Sequence, residues 1–108
     1  MSSVQSRRVF DLLGICIKAG KAVKGFDSVI DTVKSETACC VLTACDASDK
    51  TVKEVAFYCD KHGVKLLKTG LTKADMGRLF HKDTAAVAAV TDKGFAGGFE
   101  KILLDNPQ

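Results

Sequence analysis

The stretch Thr84-Ala85-Ala86-Val87-Ala88-Ala89-Val90-Thr91 carries no charge and no side chain larger than valine. Such a run fits a strand covered on both faces, because small side chains let helices pack closely above and below it. Ala38-Cys39-Cys40-Val41-Leu42-Thr43-Ala44 is a second, nearly all-apolar run of strand length. Two doubly covered strands require helices on both sides of a sheet, and the segments around them supply the helical patterns.

In residues 4–18, Val9, Phe10, Leu13, Cys16 and Ile17 form one helical stripe, which Gly20 ends. Phe26, Val29, Ile30 and Val33 repeat at i, i+3, i+4 and i+7, so a second helix begins at about Asp27, after a very short strand candidate. Ser48 caps a third helix, with Asp49 in its first turn and Val52, Val55, Ala56 and Cys59 facing inward. Lys61 and His62 occupy its last turn and Gly63 follows, so His62 reads as a polar cap at a helix C-terminus rather than a base. After a strand over Val64–Lys68, Thr72 and Asp75 make a capping box, with Leu71 and Met76 as its hydrophobic staple and Leu79 and Phe80 facing inward. Asp92 caps a last helix carrying Phe95, Phe99, Ile102 and Leu103. Gly94, Gly97 and Gly98 weaken that helix by about 3 kcal/mol relative to alanine, so it needs a docking surface. The order implies an α/β fold with one parallel or mixed sheet sandwiched between helices.

At 108 residues and 46% hydrophobic content, one core is affordable and two are not, so residues 1–108 are read as a single domain. The N-terminal segment lacks a secretory pattern and the apolar runs fall far short of a membrane span, which predicts a cytoplasmic protein without membrane contact. Five cysteines without C-x-x-C spacing point to small core residues rather than to a zinc site or a disulfide framework.

The net charge of +3 is unevenly spread: +4 over residues 1–25, −4 over 26–60, +5 over 61–82 and −2 over 83–108. If the fold brings the two basic segments together, they make a patch suited to a polyanion; otherwise they are two solvated faces. The stretch Ala19–Ile30 is the focal point of the first segment. Lys21 and Lys24 lie just before the second helix, where free N–H groups and the helix dipole favour an anion such as phosphate, and Gly25 permits positive φ or a close approach. The alternative is that Gly20 and Gly25 punctuate turns between solvated lysines.

Catalytic motifs are missing. G-x-x-x-x-G-K-[ST] fails around Gly20-Lys21, where Ile15 and Ala22 stand in place of the required glycine and hydroxyl. No G-x-G-x-x-G follows a strand, and two histidines offer few bases to a nucleophile. The reading is a non-enzymatic protein without cofactor or metal.

Leu12-Leu13-Gly14 with Ala19-Gly20-Lys21 and Gly25, then Asp46-Ala47-Ser48, Met76-Gly77-Arg78, and Val87-Ala88-Ala89-Val90-Thr91-Asp92 with Gly94-Phe95-Ala96 form a collective signature. With the order of elements, it resembles the superfamily of small ribosomal RNA-binding proteins that recognise kink-turns, the L-seven-Ae and L-thirty-e group. The similarity is closest to the YlxQ-like branch and spans nearly the whole chain. It implies a three-layer α-β-α sandwich with a four-stranded mixed sheet, in which the start of the second helix and the loop before the last strand grip RNA. On this sequence the implied RNA-binding residues are Lys21, Lys24, Gly25, Phe26, Asp27 and Ser28, with Arg78, His81 and Lys82. Structured RNA, ribosomal or kink-turn-like, is the implied partner, with the ribosome as its setting and a monomer as the expected state.

The family's Gly-Thr-Asn-Glu-x-x-Lys reads here Gly25-Phe26-Asp27-Ser28-Val29-Ile30-Asp31. An asparagine amide both donates and accepts at base edges, whereas ionised Asp27 only accepts, and Asp31 reverses the charge of the usual lysine. Phosphate contacts are indifferent to that change. A protein-interaction module on the same fold, using Asp27 and Asp31 without RNA, is the rival expectation; a recognition fragment like those attached to RNA-modifying enzymes is a third.

Overall fold

The computed structural model describes residues 3–104 of the chain. Its elements run α1 (Val4–Lys18), β1 (Ala22–Lys24), α2 (Phe26–Lys34), β2 (Cys40–Thr43), α3 (Asp49–His62), β3 (Lys65–Lys68), α4 (Lys73–Leu79), β4 (Val87–Val90) and α5 (Lys93–Leu104). The four strands form one mixed sheet in the order β1-β4-β2-β3. β2 and β3 are parallel, while β4 runs against both β1 and β2. β1, β2 and β3 therefore all end at the sheet edge where β4 begins.

Strand alternation divides the core into two layers. Cys40 and Leu42 of β2, Leu67 of β3, and Ala88 and Val90 of β4 pack with Val9, Leu13 and Cys16 of α1, Met76 of α4 and Phe99 of α5. Val41 of β2 and Val87 and Ala89 of β4 pack on the other face, with Val29, Ile30 and Val33 of α2 and Val55 and Cys59 of α3. The result is the expected α-β-α sandwich. All four residues of β2 and of β4 are buried, as small doubly covered strands require.

The strands are shorter than the apolar runs. Thr84–Ala86 lie outside β4 because the Ala85 N–H bonds back to the Lys73 carbonyl at the start of α4, at 3.0 Å. Val64 lies outside β3 because its N–H closes the end of α3 on the Cys59 carbonyl, at 2.8 Å. α2 starts at Phe26 rather than Asp27, with Gly25 as its N-cap. The predicted caps hold: Ser48 accepts from the Thr51 N–H, Asp92 from the Phe95 N–H, and Thr72 with Asp75 forms the full capping box.

The ends of α1 to α4 share one device. In each, two successive N–H groups beyond the helix fold back in the pattern of a Schellman motif, illustrated by Lys21 to Cys16 and Gly20 to Ile17 after α1, and by Lys82 to Gly77 and His81 to Arg78 after α4. The motif needs one residue in left-handed conformation. Gly20 (φ 73°) and Gly63 (φ 69°) fill that place after α1 and α3, but Glu36 (φ 62°) and His81 (φ 60°) fill it after α2 and α4. His62 lies at the end of α3 as predicted, with Nδ1 3.8 Å from the Glu36 carboxylate.

Burial pushes the thiols of Cys16 and Cys59 up to about 11 and that of Cys40 up to about 12, so these side chains stay neutral and pack as apolar groups. Among the described residues no helix is long and apolar enough to cross a membrane, and no cluster of His, Cys, Asp or Glu is suited to a metal ion.

Candidate nucleic-acid interface

Because β1, β2 and β3 end at one sheet edge, the helices that follow them, α2, α3 and α4, all start there and turn the positive ends of their dipoles toward the same surface. Two of the three starts are closed by side chains. Ser48 caps α3, Thr72 caps α4, and Asp46 accepts the Lys73 N–H at 2.7 Å, tying the β2–α3 loop to the start of α4. α2 is different. Gly25 offers no side-chain cap, its carbonyl receives the Val29 N–H at 2.9 Å, and the N–H groups of Phe26, Asp27 and Ser28 have no acceptor among the described residues. Three free backbone donors at a helix start suit a phosphate.

Gly25 makes this start possible. At φ 89° and ψ 145° its backbone lies where side chains are strained, and the kink lets its N–H reach the Val87 carbonyl at 3.3 Å. That hydrogen bond joins the start of α2 to the first residue of β4, directly after the loop carrying His81 and Lys82. Lys24, half-buried, pairs in register with Ala88, one residue further along β4.

The loop itself is held by backbone. Lys82 donates to the Gly77 carbonyl at 2.8 Å, and the Cβ that Gly77 lacks would meet the backbone of Asp83 and Thr84 at 2.7 Å. His81, Lys82, Asp83 and Thr84 are exposed in consequence.

Two of the nine expected residues stand apart. Lys21 precedes β1, and its carbonyl accepts the Thr91 N–H at the far end of β4, so it lies roughly 13 Å of extended chain from Gly25. The Arg78 guanidinium lies over the Phe10 ring of α1, 5.6 Å from its centroid, and pairs with Asp75 at 3.2 Å, which turns it toward the α1 layer and offsets its charge.

Sequence reasoning did not single out Lys53 or Lys68, and it named Gly77 only as part of the Met76-Gly77-Arg78 motif. Lys53 and Lys68 line a depression of about 310 Å³ on the same edge, together with Asp49, Thr43, Cys45, Ala47 and Val52. Their charge was visible in the sequence; that the start of α3 and the end of β3 lie side by side was not. Gly77 was visible as a glycine inside a helix, without any sign of the backbone it touches.

A family model described as the ribosomal protein L7Ae/L30e/S12e/Gadd45 family matches residues 7–98, a span that holds all three helix starts and the β4 loop. The chain belongs to this family. RNA-binding protein YlxQ of Bacillus subtilis (strain 168) is 38% identical over 94 residues, covering 87% of this chain and 93% of that protein. RNA-binding protein YlxQ of Enterococcus faecium is 27% identical over 103 residues, covering 95% and 98%. Among solved structures, a protein of unknown function from Bacillus halodurans C superposes with a TM-score of 0.82 at 24% identity, covering 90% of this chain and 96% of that one. The Giardia lamblia 15.5kD RNA binding protein superposes with a TM-score of 0.77 at 18% identity, covering 95% and 88%. These two likenesses show that the chain shares its fold with both proteins.

Proposed function

We propose that this L7Ae-family chain is a non-enzymatic RNA-binding protein that grips structured RNA, ribosomal or kink-turn-like, between the start of α2 and the loop before β4. The observation that carries the reading is the uncapped start of α2, bonded through Gly25 to the foot of the loop that exposes Lys82. Phosphate would be held by the N–H groups of Phe26, Asp27 and Ser28 and by Lys24 and Lys82, with Lys53 and Lys68 extending the basic edge around a depression large enough for a base. The names of the YlxQ relatives support RNA as the ligand. A monomer acting in the cytoplasm, at or near the ribosome, is the setting proposed for it.

Titration of a kink-turn RNA and an unrelated hairpin over a range of salt concentrations tests the reading. Binding should weaken steeply with salt, and the absence of salt-sensitive binding to either RNA would overturn it. The exposed carboxylates of Asp27 and Asp31 on α2 favour a second reading, a protein-interaction module without RNA. Affinity capture with and without nuclease separates the two: a stoichiometric protein partner that survives nuclease supports the module, and loss of partners supports RNA.

A further inference from the structure

Phe57 is 61% exposed on α3, an unusual place for a large aromatic side chain. Its ring is held edge-on against Tyr58, with centroids 5.3 Å apart and planes at 83°, and Tyr58 is itself covered by the Lys34 ammonium at 5.0 Å. At its foot lies an open cavity of about 390 Å³, lined by Ala56, Cys59, Asp60, Val64 and Leu66. β3 is the last strand of the sheet, so the cavity opens at a free edge.

This cavity and the depression beside Lys53 and Lys68 occupy one seam between α3 and β3. Val52 and Lys53 precede Ala56 and Phe57 by one turn of α3, and Leu66 and Lys68 are alternate residues of β3 facing the same side of the sheet. A chain leaving the α2–β4 edge past Lys68 would therefore run directly onto Phe57. Lys61, one turn beyond Phe57 on α3, continues the basic rim past Asp60.

We infer that the α3–β3 seam carries a single-stranded extension of the bound RNA, with one base stacked on Phe57 and its phosphates drawn to Lys53, Lys68 and Lys61. The inference rests on the RNA-binding reading above and adds a second contact to it. Lys53, Lys61 and Lys68 outnumber Asp49 and Asp60 along the seam, and lysines beside a fixed aromatic face are the general design for single strands, since every base has a face to stack. A second copy of this chain is a poor occupant: pairing two β3 edges would gather the exposed Lys65 and Lys68 of both copies along one short seam. An extended peptide added to the β3 edge is the competing occupant.

The test compares a blunt kink-turn hairpin, the same hairpin with a single-stranded oligouridine tail at either end, and oligouridine alone. The tail should tighten binding to the parent protein. Phe57→Ala should lose that gain, about tenfold, with the blunt-hairpin affinity and the melting curve unchanged, and Phe57→Tyr should keep it. A photoreactive thiouridine in the tail should crosslink to the peptide containing Phe57. A tail that adds nothing, or a gain that survives Phe57→Ala, overturns the inference while leaving hairpin binding intact. If the blunt hairpin does not bind, the parent reading fails and oligouridine alone decides the seam: amide shift changes at Phe57 and Leu66 uphold it, and none overturn it. Shifts at Leu66 and Lys68 on adding an acidic extended peptide, with none on adding oligouridine, reassign the seam to peptide and likewise overturn the inference.

Discussion

A Cβ built on Gly77 would lie 2.7 Å from the carbonyl oxygen of Asp83, with the Asp83 carbonyl carbon at 2.8 Å and the Thr84 Cα at 2.7 Å. The atoms in the way are all backbone, so the β4 loop could admit a methyl group only by moving as a unit. Gly77→Ala should therefore cost about 1–3 kcal/mol despite alanine's better helix propensity, and should weaken RNA binding by displacing Lys82. Gly14→Ala is the control, since its Cβ would meet only Leu79 Cδ2 at an ordinary 3.6 Å and should gain up to about 1 kcal/mol. Thermal melts and RNA titrations of the two variants check the contrast.

Lys24→Ala and Lys82→Ala should each weaken RNA binding nearly uniformly across sequences and lower the slope of log affinity against log salt by about 1. Neither side chain belongs to the core, so each should change stability by no more than about 0.5 kcal/mol. Lys21→Ala should have the smaller effect, because Lys21 sits beside Thr91 at the opposite end of β1. A salt series on the three variants distinguishes these outcomes.

Asp27→Asn should raise kink-turn affinity. The exposed carboxylate stands in the first turn of α2 near the free N–H groups, where its charge repels an incoming phosphate and it can give no hydrogen bond to a base. If affinity is unchanged while the two interface lysine variants weaken it, the site works through phosphate contacts alone. Parallel titrations of the parent and this variant against one kink-turn RNA decide it.

His81→Gly should raise stability by about 1 kcal/mol, since glycine takes the left-handed conformation at φ 60° without the strain of a Cβ. RNA affinity should fall at the same time if the exposed imidazole contacts the ligand. A melting temperature and an affinity that rise together would remove His81 from the interface.

The Asp75 carboxylate is held below its ordinary value of 3.8, chiefly by the hydrogen bond from the Thr72 N–H, and further by the Thr72 hydroxyl and the Arg78 guanidinium. A folded-state value below the unfolded one means that its stabilisation is complete above the unfolded value and is lost as the pH falls through the lowered folded value. Asp75→Asn should thus melt below the parent at neutral pH, by about 1 kcal/mol, and match it in strong acid. Melts across that acid range check the sign.

Much of the architecture is local, and was legible for that reason. Stripes such as Val29, Ile30 and Val33, caps such as Ser48 and Asp92, and the stop at Gly63 act within a turn or two of chain, so the amino-acid sequence by itself determined the helices, the doubly covered strands and the α/β class. The family motifs also pointed to the segments proposed to contact RNA. What needed the tertiary structure was their arrangement. The two basic segments become neighbours through a ladder between β1 and β4, residues some sixty positions apart, and that same antiparallel ladder carries Lys21 to the other end. Whether Arg78 is free depends on α1 lying beneath it, and the indispensability of Gly77 depends on where Asp83 comes to rest. Periodicity reports which face of an element is buried; it carries no information about which distant backbone arrives there, because that is settled by the joint packing of three layers.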